Sequence, residues 1–181
     1  MADKVVEFGG DKGDLRLRGK NNQEGTSGKY SGYSQISFGN TVDVACTGDI
    51  RTLLDYNNYE NVATGSARFY YLFKDCTQLT SAPDLPAKSL ADDGYRSMFQ
   101  GCTSLTAAPD LPATKLADHC YALMFKGCTK LNKAPDKLPA MTMASSCYLE
   151  MFYNCTSLTD APDLPATTLA KGCYESMFLG M

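Results

Sequence analysis

Residues Phe99–Phe125 read Phe-Gln-Gly-Cys-Thr-Ser-Leu-Thr-Ala-Ala-Pro-Asp-Leu-Pro-Ala-Thr-Lys-Leu-Ala-Asp-His-Cys-Tyr-Ala-Leu-Met-Phe, and most of the chain is this stretch repeated. The same frame opens at Phe73, Phe99, Phe125 and Phe152, and its Met-Phe returns at Met177-Phe178. The step is 26 residues, lengthened once to 27 by an extra residue near Lys137. A fixed period in the twenties predicts a repeat array whose rungs each give one strip to a shared core.

Each rung divides into three parts. Leu-Thr-x-Ala, with Asn132 in place of Thr in the third rung, reads as a short strand: Leu79–Ala82, Leu105–Ala108, Leu131–Ala134 and Leu158–Ala161. Pro83, Pro109, Pro135 and Pro162 then end the ladder, because proline has no N–H to donate. An Asp-Leu-Pro-Ala corner follows, and the third rung inserts Lys137 there. The last part reads as helix. Ala117, Cys120, Tyr121, Met124, Phe125 and Cys128 fall at i, i+3, i+4, i+7, i+8 and i+11, one face at helical spacing. Asp75, Gly101, Gly127 and Asn154 are residue types that tolerate a left-handed cap, which predicts that the helix stops there.

Residues 1–66 stand outside the repeat and read as a β-rich cap, leaving 67–181 as an array of about four rungs that ends mid-rung. Val5–Phe8 and Leu15–Arg18 read as strands and 21–32 as a polar loop. Ser34–Phe38 and Thr41–Ala45 read as a hairpin around Gly39-Asn40. Asp49–Tyr56 reads as the start of a helix capped by Thr47 or Asp49.

The frame Met-Phe-x-Gly-Cys-Thr-x-Leu-x-x-Ala-Pro-x-Leu-Pro-Ala-Thr-x-Leu-Ala resembles the leucine-rich repeats of BspA-like bacterial surface proteins, of the Cys-Thr-Ser-Leu-Thr variety found in Bacteroidetes and their phages. The resemblance covers Phe73 to the C-terminus. It implies an α/β repeat solenoid, a right-handed array of strand-plus-helix rungs, and a non-enzymatic role in adhesion or protein recognition at cell surfaces. The chain departs from the pattern at Gly94, at Lys137 and at Met181, where the next Cys would fall.

Composition excludes several classes. Net charge is -3 and no Lys/Arg block forms a phosphate-tracking stripe, so nucleic acid is not an expected partner. No run approaches the length and apolarity of a membrane span. The first residues lack the apolar core of a signal peptide, so the expectation is a chain folded where it is made or a fragment of a longer exported one. Seven of eight cysteines obey the repeat. Cys76, Cys102, Cys128 and Cys155 form one phase, and Cys120, Cys147 and Cys173 form another. They read as columns of buried thiols, with rung-to-rung disulfides as the alternative. A single His and no Cys-x-x-Cys pair argue against zinc.

Catalysis has little to stand on, and no cofactor is expected. His119 is the one histidine and lies off the apolar face. Asp84, Asp110, Asp136 and Asp163 recur after the prolines. They read as turn carboxylates, or as a Ca²⁺-holding column if stacked. Asn154-Cys155-Thr156 spells a glycosylation triplet that coincides with the expected cap and core.

Functional variation is expected where rungs differ and face solvent. The position before each strand Leu reads Gln78, Ser104, Lys130, Ser157, and the position two after it reads Ser81, Ala107, Lys133, Asp160. These eight are the candidate binding face. A second band reads Arg96, Ala122, Leu149, Glu175. The expected function is a non-catalytic recognition or adhesion module at a bacterial surface, secreted or cell-attached, that binds a protein or glycan on a host or neighbouring cell. The alternative is a structural or receptor-binding component of a phage particle, which would place the chain in the virion.

Overall fold

The structure, a computed structural model, describes residues 17–19, 27–28, 32–39, 42–63 and 65–181. Five ribbon segments, 67–75, 93–101, 119–127, 146–154 and 172–180, lie one above another. Phe73, Phe99, Phe125, Phe152 and Phe178 stack at centroid spacings of 5.5–5.8 Å with ring planes within 6°. A second column runs Phe69, Tyr95, Tyr121, Tyr148, Tyr174 at 5.6–5.9 Å.

The expected α/β repeat solenoid of strand-plus-helix rungs is not what forms. Among the described residues the only helices are two short 3₁₀ turns, Ile50–Leu53 and Tyr59–Asn61. The ring spacing explains why. Packed α-helices stand 8–10 Å apart, so coils stacked at under 6 Å leave no room for one per coil.

The segments read as helix are instead ribbons of overlapping turns. In the third coil the N–H groups of His119, Tyr121, Leu123, Phe125 and Gly127 donate across to Ser145, Cys147, Leu149, Met151 and Tyr153, at 2.8–3.0 Å. The N–H groups between them fold back three residues, as Ala122 does to His119 and Met124 to Tyr121. The same five cross-bonds recur at each of four junctions. Donors thus leave every ribbon on one edge and acceptors on the other.

This geometry requires a left-handed residue every fourth position. His119, Leu123 and Gly127 have φ of 56°, 57° and 75°, and Ser146, Glu150 and Asn154 repeat the pattern at 50°, 49° and 57°. A left-handed L-residue costs roughly 1–2 kcal/mol. The cross-bonds, each of order 1 kcal/mol net, and burial of the rings offset that cost. The expected left-handed caps Asp75, Gly101, Gly127 and Asn154 do have positive φ, but they are the third such position of each ribbon and cap no helix.

The other faces of each coil meet through single parallel bridges, Ser89↔Lys115, Ala107↔Lys133, Lys137↔Asp163 and Thr142↔Thr168. Only Leu79–Ser81 among the four Leu-Thr-x-Ala stretches is a strand. It pairs in parallel with Val44–Ala45, the last two residues of the expected second hairpin arm. Ser34–Phe38 forms no strand, so the expected hairpin is absent: the register that buries the first coil takes Val44 to Gln78 instead. A two-stranded antiparallel pair, Ser27–Gly28 with Gly32–Tyr33, falls in the stretch read as loop apart from Tyr33, one residue beyond it. Val5–Phe8 lies outside the described residues. Asp49 is the cap the sequence suggests, its Oδ1 accepting from the Arg51 N–H at 2.9 Å, but the turn it starts is 3₁₀.

The two columns belong to one core of Phe, Tyr, Met, Leu and Cys, with Phe99, Phe125, Phe152, Tyr95 and Tyr148 fully buried. No described helix is long and apolar enough to cross a membrane.

Candidate functional site

All eight cysteines are free thiols. Cys102, Cys128 and Cys155 donate from Sγ to the carbonyls of Phe73, Phe99 and Phe125, one coil earlier, at 3.0–3.1 Å. Burial pushes these thiols up, Cys155 to about 12, and Cys120 in the second column likewise to about 12. Cys46, partly exposed, rises to about 11, again chiefly through desolvation. A thiol protonated this firmly is a poor nucleophile, so the columns act as packing.

His119 occupies a left-handed ribbon position and is half-buried. Its equivalents Asp93, Ser146 and Gly172 are also left-handed, so backbone geometry accounts for what stands there. Asp84, Asp110, Asp136 and Asp163 are exposed. Asp163 pairs loosely with Lys137 at 3.6 Å. No group of three or more potential metal ligands forms among the described residues.

The candidate face separates into two strips. Ser81, Ala107, Lys133 and Asp160 are all exposed, and Ala107 pairs directly with Lys133. Lys130 and Ser157 are exposed too, whereas Gln78 and Ser104 are half-buried. Ser157 Oγ donates to the Thr129 carbonyl at 2.6 Å, tying that strip to the coil before it. The second variable band is not a continuous surface, because Ala122 is fully buried while Glu175 is exposed.

Shallow depressions interrupt the surface of the described residues, and two adjoin the repeats. One, of about 280 Å³, lies between Arg51, Val62 and the stretch Ala87–Ala91. Arg51 there is committed to Asp49 through a two-nitrogen ion pair at 2.7–3.1 Å. The other, of about 340 Å³, opens between the third and fourth coils and is lined by Asn132–Asp136, Asp160 and Ala161. Lys133 and Asp160 of the candidate face thus sit on its walls. Asn132, Ala134 and Ala161 carry no signal in the sequence that would have marked them, since they look like ordinary strand-flanking residues.

The arrangement offers no paired acid and base, no activated nucleophile and no deep cleft among the described residues; it offers an exposed strip over a rigid core. Comparison with protein-family models, with curated proteins and with solved structures gave no match.

Proposed function

We propose that the chain is a non-catalytic recognition or adhesion module of a bacterial surface, related to the BspA-like proteins through its repeat frame and not through a helical rung. The observation that carries this is the exposed strip Ser81, Ala107, Lys133, Asp160: the residues beneath it repeat, while the strip itself changes from polar to apolar to cationic to anionic. Surfaces built this way recognise partners by the pattern of side chains on a fixed frame. The partner on this reading is a protein or glycan on a host or neighbouring cell.

The test is retention of purified protein on bacterial and host cells. A double variant, Lys133→Glu with Asp160→Lys, is expected to reduce retention at least tenfold with an unchanged circular dichroism spectrum. Equal retention of variant and parent would remove this face from the reading.

Eight free thiols favour a second reading, a component of a phage particle assembled in a reducing cell interior. Co-purification of the chain with intact virions would favour it over the first.

A further inference from the structure

We propose that the crevice between the third and fourth coils is a slot for a secondary amide, and that its ligand is an N-acetylated sugar. The proposal rests on the recognition reading above and names the ligand class for one part of that face.

The preceding junction shows what the slot lacks. Between the second and third coils, the N–H groups of Asn132 and Lys133 both donate to the Thr106 carbonyl, at 3.0 and 3.3 Å, and the Ala108 N–H donates to the Lys133 carbonyl at 2.9 Å. One coil further on, the corresponding groups are the N–H of Thr159, Asp160 and Ala134 and the carbonyls of Asn132 and Asp160. None of these five is bonded to another described residue. Four of these five groups belong to residues that line the 340 Å³ crevice, those of Asn132, Ala134 and Asp160, and the fifth belongs to Thr159, next to the lining residue Asp160.

An acetamido group carries one carbonyl, one N–H and one methyl. Seated in the crevice, the carbonyl would take the Asp160 donor, the N–H the Asn132 carbonyl, and the methyl the apolar lining of Ala134, Pro135 and Ala161. Lys133, Asp136 and Asp160 at the rim are suited to sugar hydroxyls, being charged partners for neutral donors and acceptors. The volume lies at the small end of ligand sites, about 300–1,000 Å³, which suits a single sugar. The unpaired run is too short to hold an extended peptide, which advances about 3.3 Å per residue.

The experiment is a backbone-amide NMR titration of the full chain with N-acetylglucosamine, glucose and N-acetylglycine methylamide. N-acetylglucosamine is expected to shift the Ala134, Thr159 and Asp160 amides saturably, and glucose at the same concentration at least tenfold less. Ala161→Phe, at an exposed position on the rim, is expected to weaken the effect at least tenfold. Equal shifts with glucose, no shift at these three amides, or tighter binding of the peptide mimic would each overturn the proposal. The cell-retention assay separates the two readings. Retention that persists in Ala161→Phe while the sugar shifts nothing sinks the slot and leaves the surface reading. Saturable sugar shifts without cell retention sustain the slot and sink that reading.

Discussion

Cys128 Sγ donates to the Phe99 carbonyl at 3.1 Å, and the same carbonyl accepts the Cys102 N–H at 3.1 Å. One acceptor thus closes a turn within its own coil and receives a thiol from the next. Cys128→Ala removes the second bond and leaves a small void. It is expected to cost about 1–2 kcal/mol in urea denaturation. A cost under a few tenths would mean that the thiol only fills space.

Phe125 is held between Phe99 and Phe152 at 5.6 Å on each side and is fully buried. Phe125→Ala is expected to cost roughly 3–5 kcal/mol. Chemical denaturation that reports less than about 1 kcal/mol would contradict the column.

At His119 the ribbon and a helix predict opposite signs. In a helix interior His→Gly destabilises by about 0.5–1 kcal/mol. At φ of 56° glycine relieves strain instead, so His119→Gly is expected to raise stability by about 1 kcal/mol. The far-UV circular dichroism of the parent should lack the α-helical signature, since no α-helix forms among the described residues.

The hydroxyls of Tyr95, Tyr121 and Tyr148 are buried and pair with no atom of the described residues. Such a group carries a desolvation cost of about 1–3 kcal/mol. Tyr121→Phe keeps the ring and removes that cost, so the variant is expected to match or exceed the parent by about 1 kcal/mol. A loss of more than 1 kcal/mol, read by thermal or urea melts, would reveal a partner for the hydroxyl.

Alkaline pH should unfold the chain before the thiols ionise in place. The thiols titrate from 9.0 when free, whereas burial raises Cys147 to about 11 and Cys120 to about 12. The unfolded chain therefore loses protons first. The stability is complete below pH 9 and falls between pH 9 and 12, by about 1.4 kcal/mol per pH unit for each such thiol. Melts at pH 8 and 10.5 would check it, and equal midpoints would refute burial of the columns.

The period, the stacked Phe column, the thiol phases and the left-handed backbone at Asp75, Gly101, Gly127 and Asn154 can all be read in the sequence, because each depends on a residue or a narrow set of residue types returning at one step. The backbone between them cannot. Ala117, Tyr121 and Phe125 are spaced by four, as are Cys120, Met124 and Cys128, and that spacing satisfies both a helical face and a four-residue turn ribbon. What decides between them is the distance to the next coil, a tertiary quantity. The small or polar residues at Ser146 and Gly172 were a further local hint of left-handed backbone, beyond Asp75, Gly101, Gly127 and Asn154. The crevice escaped notice because the backbone bonds that join the second and third coils near Ala107 and Lys133 do not recur between the third and fourth, while the side chains there keep the repeat.

Because each ribbon sends its N–H groups toward the following coil and its carbonyls toward the preceding one, the peptide dipoles along the stack add where those of an ordinary sheet largely cancel. The molecule has an electrical polarity along its axis, and two copies meeting by like edges would set donor against donor. Any growth by stacking can therefore run only head to tail.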